Sequence, residues 1–172
     1  MEWDSCLKPV NKVSLDVTNH NGYEENLVEF TVDGCGDADP NSDECVDTRV
    51  AYLDAPRGGD VVHVVSHLHA AALNATLWGE DGRLLCETSP IYGTGNEAGN
   101  EKGYVVGING CYGTPGTPNA LKIVKGEKLK YVVQSTKVNG PHTGLMGLAG
   151  FTIDEKVDES ELSVLRTKVQ DE

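Results

Sequence analysis

Apolar and polar residues alternate along most of the chain in short runs separated by turn-forming residues. "KVSLDVT", "NLVEFTV" and "TRVAYLDAP" each repeat with a period of two, the pattern of a half-buried strand. "DVVHVVSHLHAAALNATLWG" is the longest such run and stops at "EDGR", where Asp81-Gly82 predicts a tight hairpin into "LLCETSPIY". "GYVVGINGCY", "ALKIVKGEKLKYVVQST" with a turn at Lys125-Gly126, and "GLMGLAGFTI" complete the set. Helical periodicity is almost absent before residue 155. Strands at this spacing predict an all-β fold, an antiparallel, jelly-roll-like β-sandwich forming a single domain over residues 1–153. Residues 154–172, "DEKVDESELSVLRTKVQDE", read as a charged C-terminal tail or a short helix. No internal repeat or second domain is visible.

Two loops interrupt the pattern. "DGCGDADPNSDECVD" is acidic, and "YGTGNEAGNEKGY" is rich in Gly, Asn and Glu. The acidic loop superficially matches the start of a calcium loop. It lacks Gly at the sixth position, and Thr48 stands where a twelfth-position Glu is needed, so a solvated loop is the better reading. "GTGNEAGN" is no phosphate cradle, because neither Lys-Ser/Thr nor a helix follows it.

Composition narrows the classes of partner. A net charge of −13 argues against nucleic acid and anionic membrane surfaces, which need clustered Lys and Arg. No apolar run approaches the length of a membrane span, and "MEWDSCLKPV" has no signal-peptide core. Five cysteines form no Cys-x-x-Cys pair, which disfavours a four-cysteine zinc site. The simplest disulfide pairing joins Cys35 to Cys45 across the acidic loop and Cys86 to Cys111 across the Gly-rich one, leaving Cys6 odd. Spacing does not fix connectivity, and five reduced thiols in a cytosolic protein is the alternative. Disulfides suit a secreted, extracellular protein, and the glycosylation triplet Asn74-Ala75-Thr76 adds slightly to that expectation.

The chemistry concentrates in "VVHVVSHLHAAAL", which holds His63, His67 and His69. All are odd-numbered, so an undisturbed strand presents them on one face. Neighbours two apart on a strand face lie roughly 6.5–7 Å apart at the backbone, close enough for His67 and His69 to chelate one ion. His63 lies two pleats further and belongs beside the site or in the core. The alternative is three satisfied histidines on a solvated strand face. Further ligands are sought in "GPHTGLMGLAG", where His142 and Met146 are four apart and share a face of one strand. A thioether favours copper, above all Cu(I), over harder cations. Packing is the usual role of methionine and the competing one here.

"HLHAAALNATLWGEDGRLLCETSPIYGTGNEAGNEKGYVVGINGCY", with the later "HTGLMGL", closely resembles the stress-up-regulated nodulin-type proteins over about Val28 to Ile153. That family in turn resembles the C-terminal copper domain of peptidylglycine α-hydroxylating monooxygenase and dopamine β-monooxygenase. There a His-x-His pair and a distant Met bind the oxygen-activating copper on a β-sandwich. The resemblance implies copper held by His67, His69 and Met146. His142 and His63 have no counterpart in it. The Cys that follows the ligand Met in the hydroxylases is Gly147 here, so their disulfide scheme does not transfer. Nor do these residues contain the three-histidine domain whose second copper stores an electron.

The expectation is therefore a mononuclear copper protein. It is either a redox enzyme using O2 or peroxide on a small-molecule or peptide substrate, or an extracellular copper capture and delivery protein. Oligomeric state is left open.

Overall fold

The computed structural model of this chain describes residues 29–55 and 57–154. The expected strand "KVSLDVT", Cys6 and the tail beyond Asp154 lie outside the described residues. Twelve strands follow in order: β1 Phe30–Val32, β2 Val46–Asp54, β3 Gly59–Leu68, β4 Ala72–Trp78, β5 Leu84–Thr88 and β6 Pro90–Tyr92, then β7 Val105–Ile108, β8 Cys111–Tyr112, β9 Lys122–Ile123, β10 Lys128–Thr136, β11 His142–Leu145 and β12 Gly147–Asp154. Every paired strand is antiparallel to its partner. The first sheet has the order β2-β10-β4-β5. In the second, β12 and β8 flank β3, and β9 also pairs with β3. Two small two-stranded sheets, β1-β11 and β6-β7, complete the fold. The expected all-β sandwich is thus the observed architecture.

The alternation dictates which faces meet. On β10, Leu129, Tyr131, Val133 and Ser135 are buried while Lys128 and Lys130 are exposed. On β3, Val64, Ser66 and Leu68 point inward, and His67 points out. Together with Leu77, Leu85, Ile123 and Phe151 these side chains fill one core between the two sheets. Each fully buried Leu or Val contributes about 1.5–3 kcal/mol. The disulfide Cys86–Cys111 ties β5 of the first sheet to β8 of the second, with Cα atoms 5.8 Å apart. Close by, the Thr88 hydroxyl donates to Ser66 Oγ at 2.6 Å across the same gap. Tyr131 Oη is buried without a hydrogen-bond partner. Burial pushes its phenol well above its ordinary value, and the neighbouring Ser66 hydroxyl offsets only part of this.

"EDGR" forms the expected hairpin turn, with the Gly79 N–H donating to the Arg83 carbonyl at 2.9 Å. The Arg83 guanidinium joins Asp81 at 2.6 Å and the nearly buried Glu127 at 2.7 Å. Glu127 also accepts the Val124 and Glu80 N–H groups at 2.9 and 3.2 Å. These residues lock the β4–β5 turn to the turn before β10, so the motif is structural. In the acidic loop, Asp39 Oδ1 accepts the Asn41 N–H at 2.9 Å, a local turn closed by the disulfide Cys35–Cys45.

Two expected strands are broken. The long run from Asp60 to Trp78 is not one strand. It leaves the second sheet at Leu68 and enters the first at Ala72. Ala71 takes φ +74° at this corner, where the Ala72 N–H donates to the His69 carbonyl at 3.2 Å. "GLMGLAGFTI" likewise divides at Met146, between β11 and β12. His142 and Met146 therefore do not share one continuous strand.

Candidate metal centre

The corner between β3 and β4 positions the two central histidines. His67 is the last outward-facing residue of β3, opposite Leu148 of β12. His69 lies one residue beyond the strand, where the chain turns. The turn is held from below: the Thr136 N–H donates to the Ala71 carbonyl at 2.8 Å, and Ala71 packs on Phe30, Val32 and Leu145 of the β1-β11 sheet. On the other flank the Tyr92 hydroxyl donates to the Ala72 carbonyl at 2.7 Å. Burial pushes the Tyr92 phenol up, which keeps it a neutral donor.

These constraints bring His67 Nε2 and His69 Nε2 to 2.9 Å from each other. The rings meet edge to face, at 69° and 4.9 Å between centroids. His69 Nδ1 lies 2.6 Å from the carbonyl oxygen of Gly144 on β11. A carbonyl only accepts, so Nδ1 carries the proton and the Nε2 lone pair of a neutral His69 faces His67. The Gly144 carbonyl reaches this position because Gly144 adopts φ +69°, a conformation that other residues enter only at a cost. Gly144 is a contact of His69 that the strand pattern did not single out. The Gly residues flanking Leu145-Met146 are the one signal that could have pointed there.

The remaining candidates take separate places. His63 stacks on Tyr112 of β8, ring centroids 4.7 Å apart, four residues up the strand from His67. His142 pairs across from Val32, and its Nε2 donates to the Val138 carbonyl at 2.9 Å. Met146 is half-buried. The β12–β3 register ends at Gly147↔Leu68; Met146 precedes β12 by one residue and His69 follows β3 by one. Among the described residues no three His, Cys, Asp or Glu side chains converge as a metal site.

An open groove runs past the histidine pair. It is lined by His67, His69 and Ala70, by Tyr104, Val106 and Ile108 from the β7 segment, and by Thr143 with Gly144 of β11. Tyr104 is 67% exposed. The lining carries no Asp, Glu, Lys or Arg. The groove is a second feature beyond the strand pattern, since "GYVVGI" reads there only as another strand.

A β-sandwich stapled between its sheets, with two imidazoles converging at a sheet corner, defines the class: a disulfide-containing all-β domain carrying a paired-histidine surface site. The stress up-regulated Nod 19 family matches residues 1–156, and the chain belongs to that family. No curated protein and no solved structure matches the chain significantly. No helix among the described residues is long and apolar enough to cross a membrane.

Proposed function

We propose that this chain binds one copper ion through His67 Nε2 and His69 Nε2, with Met146 as a soft third ligand. The observation that carries the reading is the 2.9 Å between the two Nε2 atoms, with His69 fixed from behind by Gly144. Two nitrogens at that separation, each about 2.0–2.1 Å from one ion, subtend about 90°. The preference for copper over zinc rests on the soft thioether of Met146 rather than on this distance. The imidazole–carbonyl contact is the supporting interaction that metal-bound histidines commonly have. Met146 as the thioether donor rests on the resemblance to the copper hydroxylases and on its place just before β12, at the end where that strand leaves β3. Gly147 beside it admits no side chain, because a Cβ there would collide with Val133.

Bound copper would supply one-electron redox chemistry. The chain's own residues do the rest. Gly144 orients His69, the β3–β4 corner holds the pair together, and the groove lining of Tyr104, Val106 and Ile108 offers an uncharged surface to a small molecule or peptide beside the metal. That open, uncharged approach favours a redox enzyme over a closed storage site. Copper capture and delivery is the alternative. His142, engaged with Val138, is a supporting residue of the β11 turn in this reading, and His63 packs with Tyr112. The two disulfides suit an oxidising, extracellular setting.

Copper titration followed by calorimetry tests this. His67→Ala and His69→Ala should each lose tight binding, while His63→Ala retains wild-type stoichiometry. Met146→Leu conserves volume and should weaken Cu(I) more than Cu(II). Wild-type copper affinity in both single His variants would dispose of the site.

A further inference from the structure

The outer face of the first sheet lies on the opposite side of the sandwich from the histidine face of β3. There, strand β4 carries a β-bulge. Gln134 of β10 pairs with Asn74 and Ser135 with Ala72, so Leu73 is the extra residue. An extra residue breaks the alternation, and Leu73 and Asn74 both turn outward as a result. Leu73 is 43% exposed and Asn74 half-buried. Around them the same face presents Thr76, Val132 and Val50, with Val132 paired across to both Thr76 and Val50. This is an aliphatic patch on an otherwise strongly acidic molecule.

Asn74-Ala75-Thr76 is the only Asn-x-Ser/Thr triplet, with x other than Pro, in the 172 residues. Its Asn therefore sits on a bulge that lifts it from the sheet, next to an exposed leucine. We infer that Asn74 is an N-glycan acceptor, and that its first sugars lie over the patch formed by Leu73, Thr76 and Val132. The apolar faces of pyranose rings would shield these side chains while the hydroxyls face water.

The folded strand also dictates when the transfer takes place. Thr76 Oγ1 accepts the Trp78 indole N–H at 2.8 Å, and Asn74, Ala75 and Thr76 are paired in the sheet ladder. A transferase must read an extended, unpaired triplet with a free Thr hydroxyl, so modification precedes sheet closure. The donor is a lipid-pyrophosphate-linked oligosaccharide. The Asn74 amide nitrogen bonds to the anomeric carbon, the bond from that carbon to the pyrophosphate oxygen breaks, and the amide loses one proton. The lumenal compartment where this occurs is also the one where Cys35–Cys45 and Cys86–Cys111 would form.

Secretion of the full chain from a eukaryotic host, followed by intact-mass measurement and peptide mapping, tests the inference. The expected result is a glycan on the peptide containing Asn74. An amidase that releases N-glycans should remove it and convert Asn74 to Asp. Thr76→Ser should keep it and Asn74→Gln should lose it, whether or not a variant folds well, because the triplet is read before folding. The covering is read separately: a hydrophobic dye should fluoresce several-fold more with Asn74→Gln than with the glycosylated chain, and adding Leu73→Ser should reverse that gain. Unmodified Asn74 in the secreted chain would overturn the site. A glycan at Asn74 with unchanged dye binding would overturn its packing on the bulge.

Discussion

His69 owes its role to its place one residue past the end of β3. Within the strand its ring would stand upright beside that of His67. At the corner its Nδ1–H donates a hydrogen bond to the Gly144 carbonyl, and its Nε2 faces that of His67. The contact depends on a glycine at φ +69°. Gly144→Val forces a β-branched side chain into that conformation at a cost on the order of 1–3 kcal/mol, and the carbonyl is expected to swing away. Copper affinity should then fall about 10–100-fold, the usual consequence of losing a support behind a metal ligand. His67 and His69 remain present throughout, so the fall isolates the positioning effect. Calorimetric titration of the variant, with a circular-dichroism check of its fold, measures it. Unchanged affinity in a folded Gly144→Val chain would mean that His69 needs no such support.

Among the elements, β5 and β8 bear a distinct load. β8 is only two residues long and meets β3 at His63↔Tyr112 and Val64↔Cys111, so ladder hydrogen bonds alone hold it weakly. Cys86–Cys111 anchors it to the first sheet and closes a loop with a sequence separation of 25. Chain-entropy reasoning gives about 3–4 kcal/mol for a closure of that size. The Cys86→Ala/Cys111→Ala pair should lower unfolding stability by that order in a denaturant titration. A loss well under about 1 kcal/mol would show that the Gly-rich segment is held by its own hydrogen bonds.

The elements also show how much the sequence reveals. Period-two runs located most of the strands, and Asp81-Gly82 gave its hairpin. Cys35–Cys45 and Cys86–Cys111 match the simplest expected pairing, because each joins cysteines that are neighbours in the sequence. The sheet corner at His69–Ala71 was hidden, because Ala-Ala carries no turn chemistry. Its left-handed residue is imposed by packing on Phe30, Val32 and Leu145. The break at Met146 was hidden too, since the Gly residues beside it read equally well as a strand. His67 and His69 were legible as a pair by spacing alone. The Gly144 contact was not, because it joins residues 75 apart.

At the scale of the molecule, the two proposals fall on opposite outer faces of the sandwich. One carries the histidine pair and an uncharged groove, and the other carries the bulge and its glycosylation triplet. The chain's net charge of −13 draws cations toward it, over a Debye length of about 8–10 Å at physiological salt. Family membership and the β-sandwich are established for this chain, and copper at the corner is the claim on which the functional account turns. Electron paramagnetic resonance of the purified chain titrated with Cu(II) tests that claim most directly. The account predicts one axial Cu(II) signal per chain with splitting from two imidazole nitrogens, lost in the His67→Ala/His69→Ala double variant and kept in His63→Ala. The same signal, undiminished in the double variant, would contradict it.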